Sequence, residues 1–430
     1  MSPPATKVTL HPPDAPFAGS VAVPGDKSLS HRALILGALA AGESHIANQG
    51  PGEDIASTRS VLRALGVSID GGRLASPGRR AWREPVGPLD CGNSGTTLRL
   101  MAGALATRPY RSELTGDVTL LRRPMGRLVG PLEALGASIE VSDGERAPIT
   151  VHAPGELRGT DVEIPIASAQ ARTAFELAAL EARGSSVVSS PPGFRDHTER
   201  WLEALGRGRW LDRNRFQVVP GELEPFEYVV PGDPSSAAFL WAAAAVKPGA
   251  RVTTPGITLN PGRIGFLQVL ESMGAGIEAE VTGSAMGDPI GSVTVYGGVL
   301  AATEVSGELA AATLDELPLV GVLGAYAEGM TVVRDAAELR GKESDRIATT
   351  VAMIRALGGG AEATEDGFVI VGTGWLETGT VESHGDHRIA MAGAVAATAA
   401  TGAVRIDGAG AAAVSWPGFY EVLEGLWSSR

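Results

Sequence analysis

The stretch Pro24-Gly25-Asp26-Lys27-Ser28-Leu29-Ser30-His31-Arg32, followed by the apolar run Ala33 to Ala41, places a glycine turn, a capping oxygen and two cations at the start of a helix. Cations suit a helix start poorly, because its exposed N–H groups already make that end positive by about half a charge. The stretch therefore predicts an anion there. With the helix beginning near Asp26, Ser28 and Arg32 share one face, and the N–H groups beside them can hold phosphate or carboxylate. The plainer reading is a polar loop that caps an ordinary buried helix. No glycine stands immediately before Lys27, so this is not a nucleotide P-loop.

Working outward, the same design recurs. The strings LRALGVSI, LEALGASI, LEALGRGR, LESMGAGI and IRALGGGA end helical patterns at Gly66, Gly136, Gly206, Gly274 and Gly358, and LEGL near the C-terminus is a sixth. Intervals of roughly seventy residues, with one longer, indicate six copies of one supersecondary unit. Each helix stops on a glycine suited to a left-handed C′ position. A second helix start lies about half a period earlier in each copy: Asp26-Lys27-Ser28, Asn93-Ser94-Gly95-Thr96, Ser168-Ala169-Gln170, Asp233-Pro234-Ser235-Ser236, Asp315-Glu316-Leu317-Pro318 and Asp386-His387-Arg388. Each supplies a capping side chain and then runs into alanine- and leucine-rich sequence that reads as buried on most sides. Short β-branched runs such as Val187-Val188, Val293-Thr294-Val295 and Val332-Val333 separate the helices, giving roughly helix, strand, helix, strand, strand per unit. Six such α/β units pack most simply as two domains of three, with a waist near Val229-Val230-Pro231-Gly232.

Composition bounds the function. The chain has 430 residues, a net charge of −13, a 44% hydrophobic fraction and low aromatic content. That balance argues against general nucleic-acid binding, which wants a basic surface, and against base-stacking platforms. Any anion site must be a local positive pocket in an acidic molecule. Cys91 is the single cysteine, so no intramolecular disulfide forms and a reducing compartment suits the chain. Met1 to Pro16 lacks signal- or transit-peptide character, and no apolar run is long enough to span a membrane. A cytoplasmic protein is expected.

Several helix starts carry charges that local preference disfavours: Lys27, Arg123, Arg195, Lys342 and Arg388, with Arg32 a turn inside its helix and Arg346 just after Lys342. Each placement costs only a few tenths to about 1 kcal/mol. Their recurrence at equivalent places in a repeat marks function. In Cys91-Gly92-Asn93-Ser94-Gly95-Thr96-Thr97-Leu98-Arg99, Gly95 allows close approach of a ligand to the backbone, and the hydroxyls and N–H groups can accept an oxyanion. A plain capped helix with a buried Cys91 fits the same residues. Arg122-Arg123-Pro124 opens the next helix, with Arg123 favoured as the ligand contact. Ser168, Ala169 and Gln170 can read a phosphate or sugar-like hydroxyls, and Arg195 can hold phosphate with two parallel bonds. His197 reads as a local cap or a surface residue. The histidines show no ligand spacing and there is no second cysteine, so no metal site is expected. Lys342 and Arg346 fall four apart on one face, His387 reads as a pH-sensitive donor and Arg388 as a carboxylate clamp.

These motifs together resemble the 5-enolpyruvylshikimate-3-phosphate synthases, from about Val21 to the C-terminus. The resemblance rests on PGDKSLSHR at 24–32, GNSGTTLR at 92–99, RPM at 123–125, SAQ at 168–170, DELP at 315–318, KESDR at 342–346 and DHRIAM at 386–391, in the right order and rough spacing. SAQ with RDHTE at 195–199 is similar to the branch often called class II. The resemblance implies a two-domain inside-out α/β barrel of the enolpyruvyl transferase type, with six βαβαββ repeats, three per domain. It implies domains of residues 22–231 and of 1–21 plus 232–430, with the active site in the cleft between them and domain closure excluding water. It also implies transfer of the enolpyruvyl group of phosphoenolpyruvate to the 5-hydroxyl of shikimate 3-phosphate, releasing phosphate, with no cofactor.

By that match Lys27, Ser28, Arg32, Ser168, Ala169, Gln170, Arg195, Asp315 and Lys342 contact shikimate 3-phosphate. Lys27, Asn93, Gly95, Arg123, Gln170, Arg346, His387 and Arg388 surround phosphoenolpyruvate. Asp315, Glu343, Lys27 and His387 are the expected catalytic residues. Asp315 takes the hydroxyl proton, while Glu343 and Lys27 handle the carbon and leaving-phosphate protons in an order left open. Val414 stands where the enterobacterial-type form has a lysine, which leaves the phosphoenolpyruvate site one cation fewer or drawing it from elsewhere. The space at Gly95 predicts sensitivity to glyphosate. The partners are small molecules, with no nucleic acid, no membrane and a monomeric state. The rival readings are the sister transferase acting on UDP-N-acetylglucosamine, whose usual reactive cysteine is missing from Thr115 to Pro124, and a non-catalytic anion-binding relative. A nucleic-acid end-processing enzyme built from similar repeats is disfavoured by the acidic charge.

Overall fold

A computed structural model describes residues 6–153 and 155–429. The chain divides into two units. The N-terminal unit is Gly25–Pro231 together with the short segment Ser284–Asp288; the C-terminal unit takes the segment ending at Pro24, Gly232–Gly283 and the residues from Pro289 onward. Residues up to Pro24 join the C-terminal unit because Val21 N–H donates to the Thr253 carbonyl at 2.9 Å and the Pro24 carbonyl accepts from Asp233 N–H at 2.9 Å. The boundary therefore falls three residues beyond the position expected from sequence, and the 284–288 segment was not anticipated.

The described residues form six sheets, five of four strands and one of three. Four of the four-stranded sheets each have one parallel pairing and two antiparallel ones. Thus Leu89–Asp90 pairs parallel with Ser112–Thr115, which pairs antiparallel with Arg146–His152, which pairs antiparallel with Ser138–Ser142. Three sheets are completed by strands remote in sequence, and in one of them Ala18–Ser20 runs parallel to Arg251–Thr258. Glu227–Val229 runs parallel to Ala41–Ala47, with Tyr228 opposite Ile46. At the other end of the chain, Lys7–Leu10 pairs antiparallel with Val404–Asp407.

The helices are of two kinds. Lys27–Leu39, Gly95–Leu105 and Ala169–Ala179 in the N-terminal unit, and Pro234–Ala245, Leu317–Tyr326 and His387–Ala397 in the C-terminal unit, are buried along nearly their whole length. A helix apolar on every side belongs inside a core, and alanine and glycine let such helices approach closely. At Gly103 a Cβ would stand 2.1 Å from the Ala174 carbonyl oxygen, so the helices bearing these residues cross with no room for a side chain. The second kind, such as Glu53–Ala64 and Arg346–Ala356, bury one stripe and end on the repeated glycines. Gly66, Gly136, Gly206, Gly274 and Gly358 all have φ between 67° and 96°, the left-handed region that a residue with a Cβ adopts only at a cost. Strands alternate between buried and more exposed side chains, as Arg146–His152 does, so the sheets cover the helices with one face and meet water with the other. Each unit has its own apolar core, and the two cores have no residue in common.

Candidate active site

The opening motif forms as its capping pattern predicts. Asp26 is buried, and its carboxylate accepts the Leu29 N–H at 2.7 Å to start the Lys27–Leu39 helix. Lys27 leads that helix and pairs with Asp54 at 3.0 Å. Arg32 is buried one turn further on. It donates to Thr198 Oγ1 at 2.8 Å, Thr173 Oγ1 at 3.1 Å and the Ser28 carbonyl at 3.1 Å, so it is already integrated into the wall behind Ser28. His31 faces the other way, with Nδ1 2.7 Å from Thr58 Oγ1. Burial pushes its imidazole down to about 3, which leaves it neutral at pH 7.

Three separate motifs converge beside the Gly95–Leu105 helix. Ser94 caps it by accepting from Thr97 N–H at 3.1 Å. Arg123 donates to Asn93 Oδ1 at 3.0 Å, Arg99 donates to Gln170 Oε1 at 2.8 Å, and Gln170 donates to Thr96 Oγ1 at 3.0 Å. Gly95 lies among them: a Cβ there would be 2.8 Å from an Arg99 Nη and 3.3 Å from an Arg123 Nη. Asn93, Gly95, Arg123 and Gln170 are thus brought together, and Arg99 joins them. Arg99 was in the quoted motif but was not singled out, although its place four residues after Gly95 puts it on the same helix face. Arg123 lies between the 3₁₀ turns Leu120–Arg122 and Gly126–Leu128, so Pro124 does not open a helix as expected. Ser168 caps Ala169–Ala179 through Ala171 N–H at 3.3 Å, and Ala169 and Gln170 form its first turn. Arg195 lies in the loop before the His197–Ala204 helix and is partly exposed.

In the C-terminal unit the charged motifs interlock. Arg346 is buried and meets Glu343 at 2.6 Å, Asp386 at 2.8 Å and Asp315 at 3.5 Å. Burial alone would lower the pKa of its guanidinium, but Glu343, Asp386 and Asp315 more than offset this and raise it. Arg388 donates to the Asp315 carbonyl at 2.7 Å and pairs with Glu316 at 3.3 Å and the Asp315 carboxylate at 3.8 Å. Asp386 caps the His387–Ala397 helix through Arg388 N–H at 2.9 Å. Burial opposes its charge, yet Arg346 holds its carboxyl below the usual range. Four carboxylates therefore face two guanidiniums, so this cluster is rich in proton acceptors, whereas the cluster around Gly95 is cationic.

Six readings need correction. Gly425 of LEGL does not end its helix but lies inside Phe419–Trp427, and the helix Leu317–Tyr326 opens without a side-chain cap. Lys342 and Arg346 do not share a helix face: the helix begins at Arg346 with Asp345 as its cap, and Lys342 ends a 3₁₀ turn and pairs with Glu338 at 2.9 Å. His387 is not a pH-sensitive donor near neutrality, because burial pushes its imidazole down to about 4; it is a neutral ring at pH 7. His197 is neither a local cap nor a surface residue. It is fully buried, with Nδ1 2.8 Å from Asp288. Arg123 does not stand at a helix start, as described above. Asp54, Glu316 and Asp386 were missed as partners, since their roles depend on contacts between distant parts of the chain. No group of three or more His, Cys, Asp or Glu able to hold a metal ion occurs among the described residues. None of their helices is long and apolar enough to cross a membrane.

The EPSP synthase family (3-phosphoshikimate 1-carboxyvinyltransferase) matches residues 12–423. The 3-phosphoshikimate 1-carboxyvinyltransferase of Herpetosiphon aurantiacus is 46% identical over 412 residues, covering 94% of this chain and 95% of that protein. The protein of the same name from Roseiflexus castenholzii is 46% identical over 415 residues, covering 94% and 96%. An EPSP synthase structure from Acinetobacter baumannii superposes with a TM-score of 0.87 at 36% identity, covering 98% of both chains.

Proposed function

The chain belongs to the EPSP synthase family and is an enzyme of the shikimate pathway, a 3-phosphoshikimate 1-carboxyvinyltransferase, and on that premise we propose which of its residues hold the substrates and move the protons. Lys27, Asn93, Gly95, Arg123, Gln170, Arg346, His387 and Arg388 take phosphoenolpyruvate. Lys27, Ser28, Arg32, Ser168, Ala169, Gln170, Arg195, Asp315 and Lys342 take shikimate 3-phosphate. The observation that carries this reading is the meeting of Asn93, Gly95, Arg123 and Gln170, from three motifs, within one hydrogen-bonded group. Fixed guanidiniums and helix N-termini suit a multiply anionic ligand, and in a water-poor site they stabilise developing charge without reorganising.

The reaction is addition followed by elimination. The 5-hydroxyl gives up its proton and attacks C2 of the enol while C3 gains a proton, which yields a tetrahedral phosphate-bearing intermediate. Phosphate then departs and the new methyl group loses a proton. Asp315 is the base for the hydroxyl, held between Arg346 and Arg388. Glu343, aimed by Arg346, and Lys27, steadied by Asp54, divide the carbon and phosphate protons. Neutral His387 offers an N–H without adding charge. The enzyme works as a cytoplasmic monomer on small molecules. A nucleotide-sugar acceptor is not favoured: the relatives carry the shikimate name, and Cys91 is buried with its thiol pushed well up by desolvation.

The test is phosphate release from phosphoenolpyruvate with and without shikimate 3-phosphate, run alongside UDP-N-acetylglucosamine and with chelator present. Release should require shikimate 3-phosphate and ignore chelator. Asp315→Ala and Glu343→Gln should each lower kcat by about 10²–10⁴-fold, as expected for loss of a general acid or base. Unchanged kcat in either variant would remove that residue from the chemistry. Glyphosate should inhibit in competition with phosphoenolpyruvate, and an uninhibited enzyme with ordinary phosphoenolpyruvate affinity would reject the reading of the space at Gly95.

A further inference from the structure

Behind the loop that carries Arg195, the N-terminal unit holds a buried charge network that the reaction above does not use. Arg172 is on the Ala169–Ala179 helix two residues after Gln170, and it is wholly buried. A cation in that position persists only if its hydrogen bonds are met and its charge is balanced. Its guanidinium ties together four separate pieces of chain. Nε donates to Glu199 at 2.5 Å on the His197–Ala204 helix, and one Nη donates to Ser190 Oγ at 3.1 Å and to the Asn214 carbonyl at 3.2 Å. Cζ lies 4.0 Å from the centroid of the Phe194 ring, which stacks in turn on Trp210 at 6.3 Å. Among the described residues the other Nη has no hydrogen-bond acceptor, as suits a guanidinium laid over an aromatic face. Phe194 immediately precedes Arg195.

A second acid completes the network. Glu176 lies one turn along the same helix and is also wholly buried, and neither of its oxygens has a donor among the described residues. Its neighbour is Glu199, and two carboxyl groups that face each other in a dry interior hold together by sharing a proton. Burial first, and the Glu199 charge second, raise the Glu176 carboxyl well above the usual range, against the pull of Arg172 and Arg32. The raised Glu176 carboxyl therefore favours its neutral form, while Glu199 is the acid that contacts Arg172 directly.

We propose that Arg172 is a positioning residue for Arg195: held by Glu199 and stacked on Phe194, it fixes the loop from Ser190 to Asp196 so that the Arg195 guanidinium is delivered ready-aimed to shikimate 3-phosphate. The proposal rests on the reading of Arg195 as a contact to that substrate. Its physical basis is preorganisation, since a loop already held in its bound conformation does not have to be ordered when the ligand arrives. A lysine at 172 would keep the charge and lose both the planar fork and the stacking surface.

The experiment is a double-mutant cycle in steady-state kinetics with Arg172→Lys, Arg195→Ala and the double variant. Arg195→Ala should raise KM for shikimate 3-phosphate by about a hundredfold, and Arg172→Lys by about tenfold, the range of one charge-assisted hydrogen bond lost or misaimed. KM for phosphoenolpyruvate should move less than about twofold, and the double variant should be no worse than Arg195→Ala alone, because a residue acting through Arg195 has nothing left to position. Additive losses in the double variant, or an unchanged KM in Arg172→Lys beside a large effect of Arg195→Ala, would overturn the positioning role alone. An unchanged KM in Arg195→Ala would overturn the reading it rests on, and the positioning role with it. Should Arg172→Lys fail to fold, Phe194→Leu removes the same stacking from the loop side, and it should reproduce the selective rise in KM for shikimate 3-phosphate; failure to do so would reject the proposal.

Discussion

Arg346 and Glu176 show how differently two buried charges behave at the scale of single residues. Arg346 is surrounded by Glu343, Asp386 and Asp315, so it keeps its charge despite burial. Arg346→Met would leave Asp386 buried without its main counterion, and should cost about 3–5 kcal/mol of stability in urea unfolding. A loss under about 1 kcal/mol would show that water or Lys and Arg neighbours replace it. Glu176 faces Glu199, Arg172 and Arg32, and its carboxyl is raised. A carboxyl raised in the folded state adds stability that is fully present below its unfolded pKa of about 4.3 and is lost as pH climbs toward the raised folded value. Melting temperature should therefore fall from pH 5 to pH 8 more steeply in the native protein than in Glu176→Gln, whose amide cannot ionise. Parallel slopes would contradict a protonated Glu176. None of this pairing is readable in sequence, because Glu176 and Glu199 are spaced like any two surface acids and only packing brings them together.

Elements were easier to read than their contents. The helix-ending glycines at 66, 136, 206, 274 and 358 all adopt the left-handed conformation, and Asp26, Ser94, Ser168, Asp233 and Asp386 each cap a helix with their own side chain. Caps and C′ glycines act over three or four residues, so a local pattern suffices to find them. Lys342 and Arg123 were misplaced for the opposite reason: short 3₁₀ turns carry little periodic signal, and both residues lie at the edges of such turns. A close contact between two buried helices is also invisible locally. Gly103→Val should destabilise by at least about 1–3 kcal/mol in urea unfolding, because its side chain would enter the Ala174 backbone and push apart the helices that carry Gly95 and Gln170. Near-native stability would mean that the helices can part without penalty.

At the scale of the whole molecule, two cores without a shared residue and six sheets, five of four strands and one of three, follow from the six-fold repeat. Sedimentation should give one species near 44.1 kDa, and a dimer mass would reject the monomeric reading. The amino-acid sequence, read alone, was enough for the repeat, the α/β architecture, the capped starts of the buried helices at Asp26, Ser94, Ser168, Asp233 and Asp386 and the motifs that resemble an enolpyruvyl transferase, since all of these are written in spacing and in short-range backbone chemistry. Folding decided the rest. It chose Glu227–Val229 to complete the first sheet and Lys7–Leu10 the last, made His387 neutral by burying it, removed Lys342 from the Arg346 helix, and gathered Arg172, Glu176 and Glu199 behind Arg195. Desolvation and pairing depend on which distant residues arrive at the same place, and that is a property of the packed chain rather than of any stretch of it.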